Sequence, residues 1–212
     1  MIPLILKLKK ASHKEIARAQ DIIVETLYSL FDKAVLHGGT SIWRCYNGNR
    51  FSEDIDVYLP KDINKVTALF EALEKKGFQA IKKKIGENSI YSSFKFNRVL
   101  VRFEAIFKRT QGTLKEYLTV DGNLITIYTL TPEELIKEKV SAYLKRHKVR
   151  DLYDIFFLAR YIKNKNLIED DLNRLLSGFN QPVDEKELKV LIIEGLAPDV
   201  KKIVEYIQNF CK

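Results

Sequence analysis

The chain has 212 residues, 46% of them hydrophobic, with 9 glycines and 5 prolines; this is enough to bury a substantial core and too apolar a composition for long disorder. A formal net charge of +8 favours polyanionic partners such as nucleoside triphosphates or RNA, although runs such as Lys82 to Lys84 read first as solvated faces. No apolar run approaches the roughly 20 residues that span a bilayer, the apolar start is too short for a secretory signal, and two cysteines make neither a disulfide framework nor a zinc ligand set, so a cytoplasmic protein with free thiols at Cys45 and Cys211 is expected.

Along the chain, Ser12 and Glu15 have capping-box spacing, and Ile16, Ala19, Ile23, Leu27 and Leu30 recur at helical intervals, predicting an amphipathic helix up to residue 31. The apolar run 34–36 leads into Gly38-Gly39 and reads as a strand ending in a glycine turn, with one or two helical turns over 40–46. Residues 54–59 alternate polar and apolar, the mark of a half-buried strand, and Pro60 ends it. A helix is expected over 61–76, stopped by Gly77, then strands over 78–85, 90–96 and 99–107, and a hairpin at Asp121-Gly122. Thr131-Pro132-Glu133-Glu134 combines an N-cap, an N1 proline and an N3 glutamate and opens a helix to about residue 147. Further helices are read at 151–163, 169–176, 185–194 and 198–210. The pattern gives an α/β (α+β) chain: a mixed sheet flanked by helices over residues 1–130, and a helical subdomain over 131–212.

The strongest local feature is Gly38-Gly39-Thr40-Ser41, followed after a loop by Ser52-Glu53-Asp54-Ile55-Asp56. Side chains at i and i+2 of a strand share a face, so Asp54 and Asp56 point together while Ile55, Val57 and Leu59 face the core. Two fixed carboxylates repel one another unless a cation lies between them, and hard oxygen ligands suit Mg²⁺ carrying a triphosphate. The glycine turn offers backbone N–H groups at a helix N-terminus, and Thr40, Ser41 and Ser52 can add hydroxyl donors to phosphate. Either piece alone is ordinary turn or strand-edge chemistry; in this order they make the scaffold that two-metal phosphoryl transfer requires. On the strand over 99–107, Glu104 is the candidate third carboxylate, the alternative being a surface pair with Arg102.

In the helical half, Lys139 falls at helical spacing from Leu135, Ile136, Ala142 and Tyr143, so its stem runs over the buried stripe. Asp154 sits in a segment that is apolar nearly all round and needs a cation, for which Arg150 or Lys139 is available. Two readings stand: a structural interhelical salt bridge, or a lysine that contacts the triphosphate with Asp151 or Asp154 orienting it or the acceptor.

The stretch from His37-Gly38-Gly39-Thr40-Ser41 through Ser52-Glu53-Asp54-Ile55-Asp56 resembles the signature of AbiEii-type nucleotidyltransferases, toxins of toxin–antitoxin systems. Glu138-Lys139 with Ala142 and Arg146 is similar to that family's lysine motif, and Arg150-Asp151-Leu152-Tyr153-Asp154 to its Arg-Asp-x-x-Asp motif. The resemblance covers about residues 30–160. It implies a fold like that of DNA polymerase β-type nucleotidyltransferases, with a C-terminal helical bundle, and it implies dependence on Mg²⁺ and an NTP. It further implies an RNA acceptor such as tRNA, and a cognate antitoxin. By motif matching, Asp54 and Asp56 are metal ligands, Gly38 and Gly39 lie in the phosphate turn, Ser41 and Ser52 contact phosphate, Lys139 meets the triphosphate and Asp154 is its associated acid. Glu104 stands where an aspartate is common. Two other expectations compete with an RNA-directed toxin: transfer onto a small-molecule or protein hydroxyl, and a catalytically silent module that binds nucleotides or a partner.

Overall fold

The computed structural model describes residues 3–211. These fall into two compact units: residues up to Asn47 together with Phe51–Thr129, and Gly48–Arg50 together with the residues from Leu130 onward.

The first unit opens with a single turn, α1 (Leu4–Lys7), and the long helix α2 (Ala11–Leu30). The expected capping box does not form: Ser12 and Glu15 both lie inside α2, whose N-cap is Lys10 with no side-chain bond. Burial of Ile16, Ala19, Ile23 and Leu27 holds this helix instead, as tertiary packing outweighs a missing cap over 20 residues. There follow β1 (Val35–His37), α3 (Gly38–Cys45), β2 (Ile55–Leu59) and α4 (Ile63–Lys75), the last capped by the Asp62 side chain. The strands β3 (Gln79–Ile85), β4 (Ser89–Phe96), β5 (Val99–Phe107), β6 (Thr113–Leu118) and β7 (Leu124–Thr129) complete the unit.

All seven strands form one mixed sheet in the order β3-β4-β5-β2-β1-β7-β6. The pairs β2/β5 and β1/β7 are parallel and the rest antiparallel. Alternation sorts the faces. Ile55, Val57, Leu59, Ile90, Phe94, Val101, Phe103 and Ala105 are buried, on the side where α2 packs on β5 and α4 on α2. On the other side β4 and β5 leave Tyr91, Leu100 and Ile106 exposed.

The second unit is helical. In α5 (Pro132–Arg146) the predicted capping box is present: Glu134 N–H donates to the Thr131 hydroxyl at 3.3 Å, and Thr131 N–H donates to the Glu134 carboxylate at 2.8 Å. His147 turns the chain in the left-handed region, with φ +50. Helix α6 (Val149–Ala159) has no cap of its own; Asp184, 35 residues on, accepts from Val149 N–H at 2.7 Å. Then come α7 (Glu169–Ser177), α8 (Leu188–Leu191) and α9 (Val200–Cys211). The helix expected over 185–194 shrinks to a 3₁₀ turn, Glu185–Glu187, and the four residues of α8, because Ile192 pairs as an isolated bridge with Arg50 and Ile193 N–H donates to the Asn49 carbonyl. Among the described residues no helix is long and apolar enough to cross a membrane, and both cysteines are free thiols.

Candidate active site

Of the candidate carboxylates, Asp54 and Asp56 lie at the N-terminal end of β2, and Glu104 lies on the neighbouring strand β5. Asp56 is paired in register with Glu104 on β5 and with His37 on β1, so the three side chains lie in one row across adjacent strands. The His37 ring stacks on Tyr58, two residues along the same face, with centroids 4.0 Å apart. Asp54 lies one residue before β2. Arg102 does not form the surface pair with Glu104 that the sequence offered: its Nε and Nη2 donate to the two oxygens of Asp54 at 2.6 and 2.7 Å. These hydrogen bonds are the main reason that the guanidinium sits above its ordinary pKa, with the charges of Asp54, Glu104 and Glu53 adding to it. The corner thus already holds one cation against a carboxylate.

The glycine turn is built against the same corner. Gly38 has φ +70, and a Cβ placed on it would lie 2.3 Å from Asp56 Oδ2. Only glycine fits on both counts, the backbone and the space. From Gly38 onward α3 begins, its N-terminal N–H groups belonging to the strand β1–helix junction. Two of the three hydroxyls expected to meet phosphate, those of Thr40 and Ser41, serve the scaffold here. The Thr40 hydroxyl donates to the Asp54 carbonyl, and Ser41 and Thr129 share a short hydrogen bond, with Thr129 donating on to the Leu36 carbonyl at 2.7 Å. Thr40 and Ser41 are fully buried. The loop carrying Ser52 is held by Gln20, whose Nε2 donates to the Ser52 carbonyl at 2.9 Å.

In the second unit Lys139 is buried, only 6% exposed. Its ammonium donates to Asp151 at 3.3 Å and makes an ion pair with Asp154 at 2.8 Å. Asp154 does find a cation, and it is Arg50 as well as Lys139: the Arg50 guanidinium grips both Asp154 oxygens through Nε and Nη2. Arg146 does the same for Asp151 at 2.7 Å through each nitrogen. Arg150, the neighbour suggested by spacing, adds its charge at Asp151. Burial alone would raise the Asp151 carboxyl; the Arg146 hydrogen bonds and the charges of Lys139 and Arg146 outweigh it and hold the group below the usual range. Asp151 and Asp154 therefore divide the labour, one tied to Arg146 and the other to Arg50, with Lys139 bridging both.

A family model described as the nucleotidyl transferase AbiEii toxin of type IV toxin–antitoxin systems matches residues 22–205. The chain belongs to the AbiEii family. It is accordingly a nucleotidyltransferase of the toxin class, and membership implies an NTP substrate and an antitoxin partner. Its fold is similar to that of the nucleotidyltransferase toxin MenT4 from Mycobacterium tuberculosis, with a TM-score of 0.66 at 17% identity over 98% of this chain and 85% of that one. A putative nucleotidyltransferase from H. pylori superposes with a TM-score of 0.65 at 22% identity over 96% and 94%. At such identities the likeness is one of fold. No curated protein matches the chain at a significant level.

Two features of this AbiEii chain were missed by the sequence reading. Arg50 reaches Asp154 across 104 positions. Within the first unit, Arg44 is buried with Asp21 at 3.0 Å, donates to the Leu118 and Ala17 carbonyls, and lies over the Trp43 and Tyr117 rings. Asp21 in turn accepts from Tyr117 and from Val120 N–H. This cluster fixes α3 against α2 and β6. The only hint was an arginine and an aspartate at otherwise apolar helical positions.

Proposed function

We propose that this AbiEii enzyme transfers a nucleotide from an NTP to an RNA acceptor, tRNA being the natural example, with the help of Mg²⁺, and that Asp54, Asp56 and Glu104 are the carboxylates that make it possible. The observation that carries this reading is the in-register pairing of Asp56 with Glu104 on parallel strands, against a glycine turn that leaves no room for a Cβ. Among the described residues no three acidic, histidine or cysteine side chains are gathered closely enough to form a metal cluster as they stand. The donor set nevertheless fits the ion: all three are hard carboxylate oxygens, and the corner already accepts the cationic guanidinium of Arg102 on Asp54. An Mg²⁺ held by these carboxylates would offset the triphosphate charge and ease deprotonation of the attacking hydroxyl.

The chain's own groups do the rest. The Gly38-Gly39 turn and the N–H groups that open α3 hold phosphate oxygens by backbone donation. Thr40 and Ser41 keep that turn in shape through their buried hydrogen bonds, and Ser52 adds a phosphate contact. Glu104 orients the acceptor hydroxyl. Lys139 carries the positive charge for the triphosphate, with Asp154 and Asp151 fixing its ammonium. The deciding experiment incubates the protein with each α-labelled NTP, Mg²⁺ and total tRNA beside Asp56→Ala. Label on RNA with wild type and none with the variant is expected; label on RNA that survives Asp56→Ala would overturn the assignment, and label only on protein or a small molecule would move the acceptor.

A further inference from the structure

The side of the sheet opposite α2 and α4 carries two cross-strand rows that end on the candidate carboxylates. One runs Lys84–Tyr91–Glu104–Asp56 through the registers β3/β4, β4/β5 and β5/β2; the next runs Lys82–Ser93–Arg102 and reaches Asp54 through the Arg102 ion pair. Lys82 and Lys84 are exposed, Tyr91 is 47% exposed and the Arg102 side chain 55%. Three strand spacings of roughly 4.8 Å separate Lys84 from Asp56, a track of about 14 Å. Residues 79–107 carry six lysines and arginines against two glutamates. Lys83, between the two lysines of the track, points the other way and lies over the Phe70 ring at 4.3 Å. The lysine run is therefore divided by the pleat: two of its charges belong to the open face and one to the helix-covered side.

We infer that this open face, from β3 to β2, is a docking surface for a single-stranded polynucleotide whose terminal hydroxyl is delivered to Asp56 and Glu104. Lys82 and Lys84 match the phosphates, and the flat exposed ring of Tyr91 gives a base a surface on which to stack. A single strand fits better than an acidic protein segment. The exposed Tyr91 ring stands in register between Lys84 and Glu104, a stacking platform that a base uses and an acidic side chain does not. The inference rests on the reading of that corner as the transfer site, and it adds to that reading the path by which an acceptor arrives.

The test uses the full chain and a fluorescein-labelled oligoribonucleotide with a free 3′ end, followed by anisotropy across a salt series. Lys84→Glu is expected to weaken binding about tenfold, and the matched reversal Lys83→Glu on the opposite face by less than about twofold. Replacing both Lys82 and Lys84 by alanine should lower the salt slope by about 1.4, and Tyr91→Ala should weaken binding about tenfold through lost stacking. Mg²⁺-dependent NTP binding should be unchanged in all of these, since none lies in the phosphate turn. Equal loss from Lys84→Glu and Lys83→Glu, or a wild type that binds NTP but no oligonucleotide, would overturn the inference. So would polyglutamate competing at Lys84 as strongly as RNA, which would assign the face to a protein. Face-dependent RNA binding without nucleotide transfer would count against the transfer site and leave the docking surface standing.

Discussion

Replacing Gly38 with alanine should separate catalysis from folding. Alanine held at φ +70 costs about 1–2 kcal/mol relative to glycine. Its Cβ, built on the present backbone, lies 2.3 Å from Asp56 Oδ2, so the carboxylate must retreat by about 1 Å to regain ordinary contact. A chain of this length loses roughly 2–4 °C of melting temperature per kcal/mol, so the melt should fall by about 2–8 °C, leaving the protein folded at assay temperature. The displaced carboxylate should matter far more, since a misplacement of about 1 Å in a reacting group costs on the order of 100-fold in rate. The assay is kcat for nucleotide transfer measured beside a thermal melt. Retention of wild-type kcat within about threefold by a folded Gly38→Ala protein, or a loss of rate that merely tracks the unfolded fraction, would refute the placement of Asp56 in the chemistry.

Arg50→Ala should destabilise the helical unit by about 3 kcal/mol, because it strips a bidentate partner from fully buried Asp154 and leaves Lys139 alone to meet it; Arg150→Ala should stay within about 0.5 kcal/mol, and equal effects in urea unfolding would contradict the assignment. Asp151 has its carboxyl held below the ordinary range, so its contribution to stability is complete above the unfolded value near 3.8 and is lost as pH falls through the folded value. The stability gap between wild type and Asp151→Asn should therefore be flat at neutral pH and close in acid; a gap that widened in acid would reverse the sign. Ser41→Ala should cost about 1 kcal/mol through the lost hydrogen bond to buried Thr129 while sparing NTP affinity. Titration of a fluorescent NTP checks the second half, and a large loss of affinity would give the Ser41 hydroxyl a direct phosphate role.

Where short-range rules apply, the sequence was readable. The alternation of residues 54–59 matches β2, which starts one residue later, and Thr131 to Glu134 matches the start of α5, because each rests on contacts within a few positions. The same local spacing misled at Ser12 and Glu15, where burial of the apolar stripe set the helix start, and at residues 185–194, where pairing with residues 49 and 50 cut a helix short. The partners of the charged groups were the least legible part. Arg102 chose Asp54 over Glu104, Arg50 rather than Arg150 met Asp154, and Asp184 capped α6 from 35 residues away. An ion pair leaves no periodicity, so nothing in the spacing distinguishes one arginine from another.

The polypeptide visits the helical unit twice, once for the three residues Gly48–Arg50 and again from Leu130 onward. A gene cut at the obvious composition change near residue 130 would thus separate no self-sufficient cassettes. The downstream fragment would carry Asp154 without the arginine that clamps it, and the upstream fragment would carry that arginine with nothing to clamp. For this chain, the helical half is not a module that recombination can append or exchange; any viable swap must bring along a matching tripeptide from the middle of the sheet-bearing half, four residues ahead of Asp54.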